Sequence, residues 1–274
     1  MNKIFLVLCI FLIIGCTTNQ PNSGQDSDVV SVNPSQPNSG QDSDVPSVSA
    51  SELKQKMIEA HSKLEYYKVK ATVKGSVEDT SEGNVDTTVS DIMTETQVDV
   101  KNKVFKTTAK SDITKNGKRT TGKVEAYIVD GTYYVHSLDT GAWIKASLNI
   151  DLLIQQNDQM AQYIKQLSAL PFEISGEETV NGHKTYVIKI EPNASNLLPL
   201  QDAAPRFSSN TIITFWINKK TFVLEKVLVK IDFEMQRTLK HTKSTNEITA
   251  EFSEINKPFT VKLPAKALNA QSGD

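Results

Sequence analysis

Thr211 to Phe233 reads TIITFWINKKTFVLEKVLVKIDF, and this stretch decides the fold. Ile213, Phe215 and Ile217 alternate with Thr214 and Trp216, as in a half-buried strand. Asn218-Lys219-Lys220-Thr221 supplies a polar turn, after which Val227, Val229, Ile231 and Phe233 alternate with Leu228, Lys230 and Asp232. Period-two alternation over both arms predicts two antiparallel strands with one face on an apolar interior. The content of that interior decides the function.

The same signature recurs outward from the hairpin. Tyr67, Val69, Ala71 and Val73 alternate with Lys68, Lys70, Thr72 and Lys74, giving a first strand. Thr87–Val100 and Lys103–Ile113 follow, with Asn102 and Asn116-Gly117 as turns. Lys123–Val129 and Thr132–His136 flank Asp130-Gly131, a tight-hairpin signal, and Trp143-Ile144 ends another short strand. Phe172–Glu178 and Lys184–Ile190 flank Val180-Asn181-Gly182; Asn193 to Ser208 reads as loop; Glu247–Ile255 and Phe259–Leu263 are strand-like. Two stretches carry helical period instead. Ser49-Ala50-Ser51-Glu52 has capping-box spacing and opens a helix over Ser51–Glu65, with Leu53, Met57, Ala60 and Leu64 on one face. Leu153, Met160, Ile164 and Leu167 form a stripe over Ile150–Leu167, which Pro171 closes. The pattern predicts an α+β domain: a single large curved antiparallel sheet whose apolar face is covered by an N-terminal helix and an internal helix.

The chain opens with Lys3 and a short apolar run, Ile4 to Ile14, then Gly15-Cys16. This is signal-like and too short to span a membrane. Ile13-Ile14-Gly15-Cys16 resembles the lipobox of prokaryotic lipoproteins. The resemblance implies removal of residues 1–15 and lipidation of Cys16 with palmitate-type acyl chains. An ordinary signal peptide whose cleavage site abuts a cysteine is the alternative. Cys9 leaves with the signal, so no disulfide within the chain can form.

Residues 16–48 then read as a tether. QPNSGQDSDVVSV (20–32) recurs as QPNSGQDSDVPSV (36–48), polar and free of aromatics, a composition that cannot offset its own ordering entropy. As a flexible coil, residues 17–48 span roughly 30 Å, and fully stretched about 110 Å. The formal net charge of −2 becomes −3 without Lys3, and the tether holds Asp26, Asp28, Asp42 and Asp44, which leaves +1 for the domain at 49–274. Such a balance offers no footprint for nucleic acid.

No enzymatic signature emerges. His61, His136, His183 and His241 sit on different elements without metal-ligand spacing, which favours surface histidines over a metal site. GxSxG, P-loop and GxGxxG patterns are absent from the sequence, and no cofactor is called for. Glu177-Glu178 and the Asp232/Glu234 pair fit solvated strand faces. Asn193-Ala194-Ser195 fits a glycosylation sequon. Tyr66, Tyr67, Tyr127, Tyr133, Tyr134 and Trp216 either form an aromatic recognition surface or pack the sheet and its rim.

Four stretches, in this order, carry a wider resemblance: the first helix with Tyr67–Gly75; Ala126-Tyr127-Ile128-Val129-Asp130-Gly131-Thr132-Tyr133-Tyr134-Val135 with Trp143-Ile144-Lys145; Thr214 to Thr221; and Ile248-Thr249-Ala250-Glu251-Phe252. From Ser49 to Pro264 the chain resembles the LolA/LolB superfamily, including LppX/LprG-like lipoproteins. The resemblance implies an unclosed β-barrel capped by helices, a hydrophobic cavity that takes acyl chains, and a role in carrying lipid or lipoprotein. The long repetitive tether departs from the soluble carrier LolA. A cavity of this kind is expected to be lined by Val69, Ala71, Val73, Ile213, Phe215, Val229 and Ile231 from the sheet, with Leu153, Met160 and Ile164 from a lid-like helix. Two readings remain open. In one, a membrane-anchored extracytoplasmic lipoprotein binds a lipid or other apolar ligand. In the other, the core is filled and a lipid-anchored domain binds an envelope protein partner or serves the cell envelope structurally. An apolar pocket and an apolar core use the same residues.

Overall fold

The computed structural model describes residues 48–146, 158–191, 206–237 and 239–272. Helix α1 (Ala50–Ser62) is followed by strands β1 (Tyr66–Ser81), β2 (Asn84–Asp99), β3 (Val104–Lys115), β4 (Lys118–Val129), β5 (Thr132–Ser137) and β6 (Trp143–Ala146). Helix α2 (Gln159–Ala169) leads to β7 (Ile174–Val180), β8 (His183–Ile190), β9 (Arg206–Asn218), β10 (Leu224–Arg237) and β11 (Lys240–Ser253). A 3-10 helix, Ala265–Asn269, and the two-residue β12 (Gln271–Ser272) complete the order.

The twelve strands form one sheet, ordered β12-β6-β5-β4-β3-β2-β1-β11-β10-β9-β8-β7. It is two antiparallel meanders joined by β1 against β11, and only β12 runs parallel to its neighbour. The sheet does not close into a barrel: β7 and β12 lie at opposite ends of the order. The central hairpin pairs Ile213 with Val229 and Phe215 with Val227, so all four share a face, as the alternation requires. The turn is longer than the four polar residues: it runs through Phe222, whose φ is 59°, and Glu225 bulges between Leu224 and Lys226. Asn218 organises it. Its side-chain oxygen accepts from Lys220 N and Thr221 N (2.8 and 3.0 Å), and its amide donates to Glu225 (2.7 Å). Asn116-Gly117 places both residues at positive φ (48° and 77°), the backbone that a two-residue hairpin needs.

The two faces differ sharply. One carries Tyr67, Val69, Phe105, Ile188, Phe215, Val227 and Phe252 into a continuous core with Leu53 and Met57 of α1 and Met160, Ile164 and Leu167 of α2. The other is a ladder of alternating charge. Glu95, Lys70, Glu251 and Lys226 stand side by side on β2, β1, β11 and β10, and Asp91, Lys74, Glu247 and Lys230 repeat the row four residues on. Lys226–Glu251 and Lys230–Glu247 are both 3.4 Å apart. Opposite charges facing across strands keep this face solvated and help to set the register.

α1 begins where the capping box places it, with Ser49 Oγ accepting from Glu52 N (3.2 Å). It ends at Ser62, three residues before the expected Glu65, and Leu64 is buried beyond its end. α2 starts at Gln159 on an Asp158 N-cap; residues 150–157 of the expected helix, Leu153 among them, lie outside the described residues. Phe259–Leu263 is not a strand. Pro258 and Pro264 bracket it and cannot donate to a ladder, so it runs as an irregular segment with Phe259 edge-on to Tyr66 (5.6 Å). Strand β9 begins at Arg206, inside the stretch expected as loop; Asn193 lies outside the described residues.

Phe215 meets Tyr163 of α2 (ring centroids 6.4 Å apart) at the centre of this packing. Phe215→Ala should lower unfolding free energy by about 3–5 kcal/mol in chemical denaturation, whereas truncating a ladder residue such as Lys230 should cost well under about 1 kcal/mol. Equal costs at the two positions would contradict the assignment of faces.

Candidate functional site

The candidate site is the helix-covered face, and its two halves carry side chains of different size. On β9 and β10 the inward positions are large, Ile213, Phe215, Val227 and Val229, while β11 presents Phe252 beside the small Ala250. Tyr163 of α2 rests edge-on against both Phe215 and Phe252, at 6.4 Å each. Across β1 to β4 a central band is small, beside a row of Tyr67, Val98, Phe105 and Ile128. Ala71 pairs with Thr94, Thr94 with Ala109, Thr96 with Thr107 and Thr107 with Ala126. All six are buried. Thr96 and Thr107 share a 3.0 Å hydrogen bond, but Thr94 Oγ1 is buried without a partner. Interiors pack to near-crystalline density, so a floor of Ala and Thr calls for bulk above it.

The expected lining residues come together in part. Val69, Ala71, Met160, Ile164, Ile213, Phe215 and Val229 join one packed core, while Val73 and Ile231 are half-buried at its margin. α2 is not a loose lid. Met160 and Leu167 are wholly enclosed, and α1 fastens one end of the helix and β1 the other. Lys54 Nζ donates to the carbonyls of Ser168 (3.2 Å) and Leu170 (2.7 Å), supplying the cation that the last turn of α2 lacks. At the other end Asp158 Oδ1 accepts from Tyr67 OH (2.9 Å) and Ala161 N (3.0 Å), with His61 Nε2 at 3.8 Å. Burial pushes the Asp158 carboxyl up, yet the His61 ring, the Ala161 N–H and the Tyr67 hydroxyl hold it below the usual carboxylate value. Burial, and then the Asp158 charge, push the Tyr67 hydroxyl well above its ordinary value. Sequence reasoning passed over Thr94, Thr107, Ala109 and Asp158. Threonine reads as polar surface, and the signal was its alternation with Asp91, Met93, Glu95 and Gln97 along β2.

The other residues singled out from sequence disperse. His183 contacts Glu225 (2.8 Å) and His241 contacts Glu234 (2.7 Å), while His136 stacks on Trp143 (4.3 Å). Three of the four are partly covered rather than freely exposed, each by a different neighbour. Among the described residues no group of three acidic, histidine or cysteine side chains is arranged to hold a metal. The aromatics do not form one surface: Tyr67 and Tyr133 face the core, whereas Trp216 lies under Lys226 and donates to Glu178 (2.8 Å) on the charged face. Glu177 pairs with Lys219. A groove of about 470 Å³ on the charged face is lined by Lys74, Ser76, Asp91, Lys230, Thr245 and Glu247, a mixed-charge lining unsuited to an apolar guest. Among the described residues no helix is long and apolar enough to cross a membrane.

Fold and site define a protein built as one open sheet with a fastened helix pair on its apolar face. The chain belongs to a family of unknown function, DUF6612, whose model matches residues 49–200 and 208–272. No curated protein matches the sequence. Among solved structures, it is similar to LprF from Mycobacterium bovis at 12% identity, covering 79% of this chain and 97% of that one, with a TM-score of 0.41. A putative outer membrane lipoprotein-sorting protein domain from Vibrio parahaemolyticus is similar at 9% identity, over 77% and 95% of the two chains, with a TM-score of 0.20. A DUF1329 family protein from Desulfovibrio piger is similar at 12% identity, over 77% and 93%, with a TM-score of 0.25.

Because the carboxyl of Asp158 is held low in the folded protein, its contribution is present above the ordinary carboxylate value and is lost as pH falls through its folded value. Asp158→Ala should cost about 1–2 kcal/mol near neutral pH, from the lost cap and the orphaned Tyr67 hydroxyl. The gap from the parent should shrink as pH drops below about 4 in denaturant titrations. A gap that stays constant or widens on acidification would contradict this account of the helix joint.

Proposed function

We propose that the chain is a lipid-anchored extracytoplasmic protein that binds the acyl chain of a lipid, or another apolar ligand, on the helix-covered face of its sheet. The observation that carries the reading is the asymmetry of that face. A band of buried Ala and Thr crosses β1 to β4, where β9 and β10 present Ile, Val and Phe. Residues this small leave the most room for an acyl chain, which would take the place of what now covers them, since they are at most 7% exposed without a guest. Val69, Val73, Met160, Ile164, Ile213, Phe215, Val229 and Ile231 form the proposed apolar surround. The chemistry is that of a carrier, not a catalyst.

Anchoring rests on Ile13-Ile14-Gly15-Cys16 and the repetitive stretch that follows. Lipid on Cys16 would hold the domain at the outer face of the cell membrane, or at an outer membrane in a two-membrane host, within reach of a lipid surface. The second reading is a lipid-anchored domain with a filled core that docks an envelope protein. The fastening of α2 at both ends and the continuity of its packing with Phe215 favour it.

One substitution separates them. Ala109→Phe on the mature chain should be tolerated within about 1 kcal/mol and should lower affinity for a fluorescent acyl probe at least about tenfold, because the ring takes the ligand's place. In a filled core the same change overpacks and destabilises by about 1–3 kcal/mol. That result, with no probe binding by the parent, would overturn the carrier reading. In the same preparations Cys16→Ser should move the protein from the membrane to the soluble fraction; continued sedimentation with membranes would refute lipid anchoring.

A further inference from the structure

A polar cluster sits at the start of α2, beside the lowest row of the small-residue floor. Tyr67, on the inward face of β1, pairs with Val98, and its hydroxyl reaches Asp158 Oδ1 (2.9 Å). His61, in the last turn of α1, brings Nε2 to 3.8 Å from the same oxygen, too far for a hydrogen bond. That nitrogen is buried and faces the carboxylate without a hydrogen bond, and Oε1 of Gln159, the first residue of α2, which is only 8% exposed, is buried with no hydrogen-bond partner. Buried polar atoms without partners are rare, because each gives up hydration and gains nothing in return. Two at one helix start, on the ring that faces the Asp158 carboxylate and on the residue that follows it in the chain, mark a place prepared for a polar group; the Asp158 side chain is 13% exposed.

The atoms decide which group fits. Asp158 is held ionised, and its oxygens only accept. Gln159 Oε1 also accepts, whereas His61 Nε2 donates or accepts according to tautomer. A carboxylate or phosphate brought here meets a negative charge and the further acceptor of Gln159, with the imidazole as the one group able to donate. A hydroxyl donates to one oxygen and accepts from the imidazole. We infer that this cluster receives the head of the ligand proposed above, and that the head is an uncharged hydroxyl-bearing group, as in a monoacylglycerol, rather than a carboxylate or phosphate. The inference rests on the reading that the covered face binds an acyl chain, and it adds which lipids the site selects.

The test is displacement of a fluorescent acyl probe from the mature chain carrying Cys16→Ser, by a monoacylglycerol, a fatty acid and a lysophosphatidate of equal chain length. The monoacylglycerol should bind about tenfold or more tighter than either anion, the size of effect expected when a polar site rejects a mismatched group. Asp158→Asn keeps a good helix cap and should narrow that gap at least about threefold by admitting the fatty acid. Gln159→Leu should weaken the monoacylglycerol while leaving the fatty acid unchanged, and should not lower the melting temperature, since it removes a buried orphan atom. It therefore decides the matter even if Asp158→Asn fails to fold. If none of the three competitors displaces the probe and the probe itself does not bind, the carrier reading falls and the inference with it. If all three bind alike, or if neither variant alters the ranking, the acyl reading stands and the head-group inference is overturned, leaving the cluster as a hydrated structural joint.

Discussion

The pairing of β1 with β11 holds the molecule together. Fourteen residue pairs, from Lys68–Ser253 to Ser81–Lys240, join a meander built from the first half of the chain to one built from the second. Side-chain direction alternates along β1, so this one register decides which face of both meanders is apolar. A slip by one residue would turn Val69 and Ala71 toward water and Lys68 and Lys70 toward the core. The charged rows guard against it: Lys70 and Lys74 stand opposite Glu251 and Glu247 only in the observed register. Contacts this distant in sequence are costly to close, which makes the two local meanders the natural early units and their junction the late one.

The helices depend on that junction in turn. α1 enters β1 directly, and Tyr67, at the root of β1, captures Asp158 and so the start of α2. Lys54 holds the far end of the same helix through Ser168 and Leu170. With α2 fixed over β9 to β11, the two halves of the covered face become unlike: one is packed by Tyr163 against Phe215 and Phe252, while the other keeps its buried alanines and threonines. That asymmetry, more than total apolar area, is what the proposed carrier reading rests on.

Much of this was legible in the sequence, because period-two alternation is local. The arms of the central hairpin, the strand at Tyr67–Val73 and the Asn-Gly turns follow from residue type alone. The pairing of β1 with β11 did not follow, since its partners lie far apart in sequence and only the matching of Lys70 and Lys74 with Glu251 and Glu247 hints at it. Phe259–Leu263 shows the limit of alternation, which Pro258 and Pro264 override by removing donors. Of the apolar residues expected at the site, Val69, Ala71, Met160, Ile164, Ile213, Phe215 and Val229 are buried in the packed core, for burial is what periodicity reports. The small-residue floor was not, because Thr94, Thr96 and Thr107 look like solvent-facing positions until the register places them inward. Asp158, Gln159 and His61 come together only through tertiary packing.

The central claim is that the helix-covered face holds an apolar guest. Native mass spectrometry of the protein, purified with gentle detergent exchange, measures this most directly. The account predicts a population heavier than the protein alone by the mass of a non-covalently held lipid, released as a single-chain or glyceride species on collisional activation. A spectrum containing the protein alone, unchanged after incubation with excess membrane lipid, would contradict it.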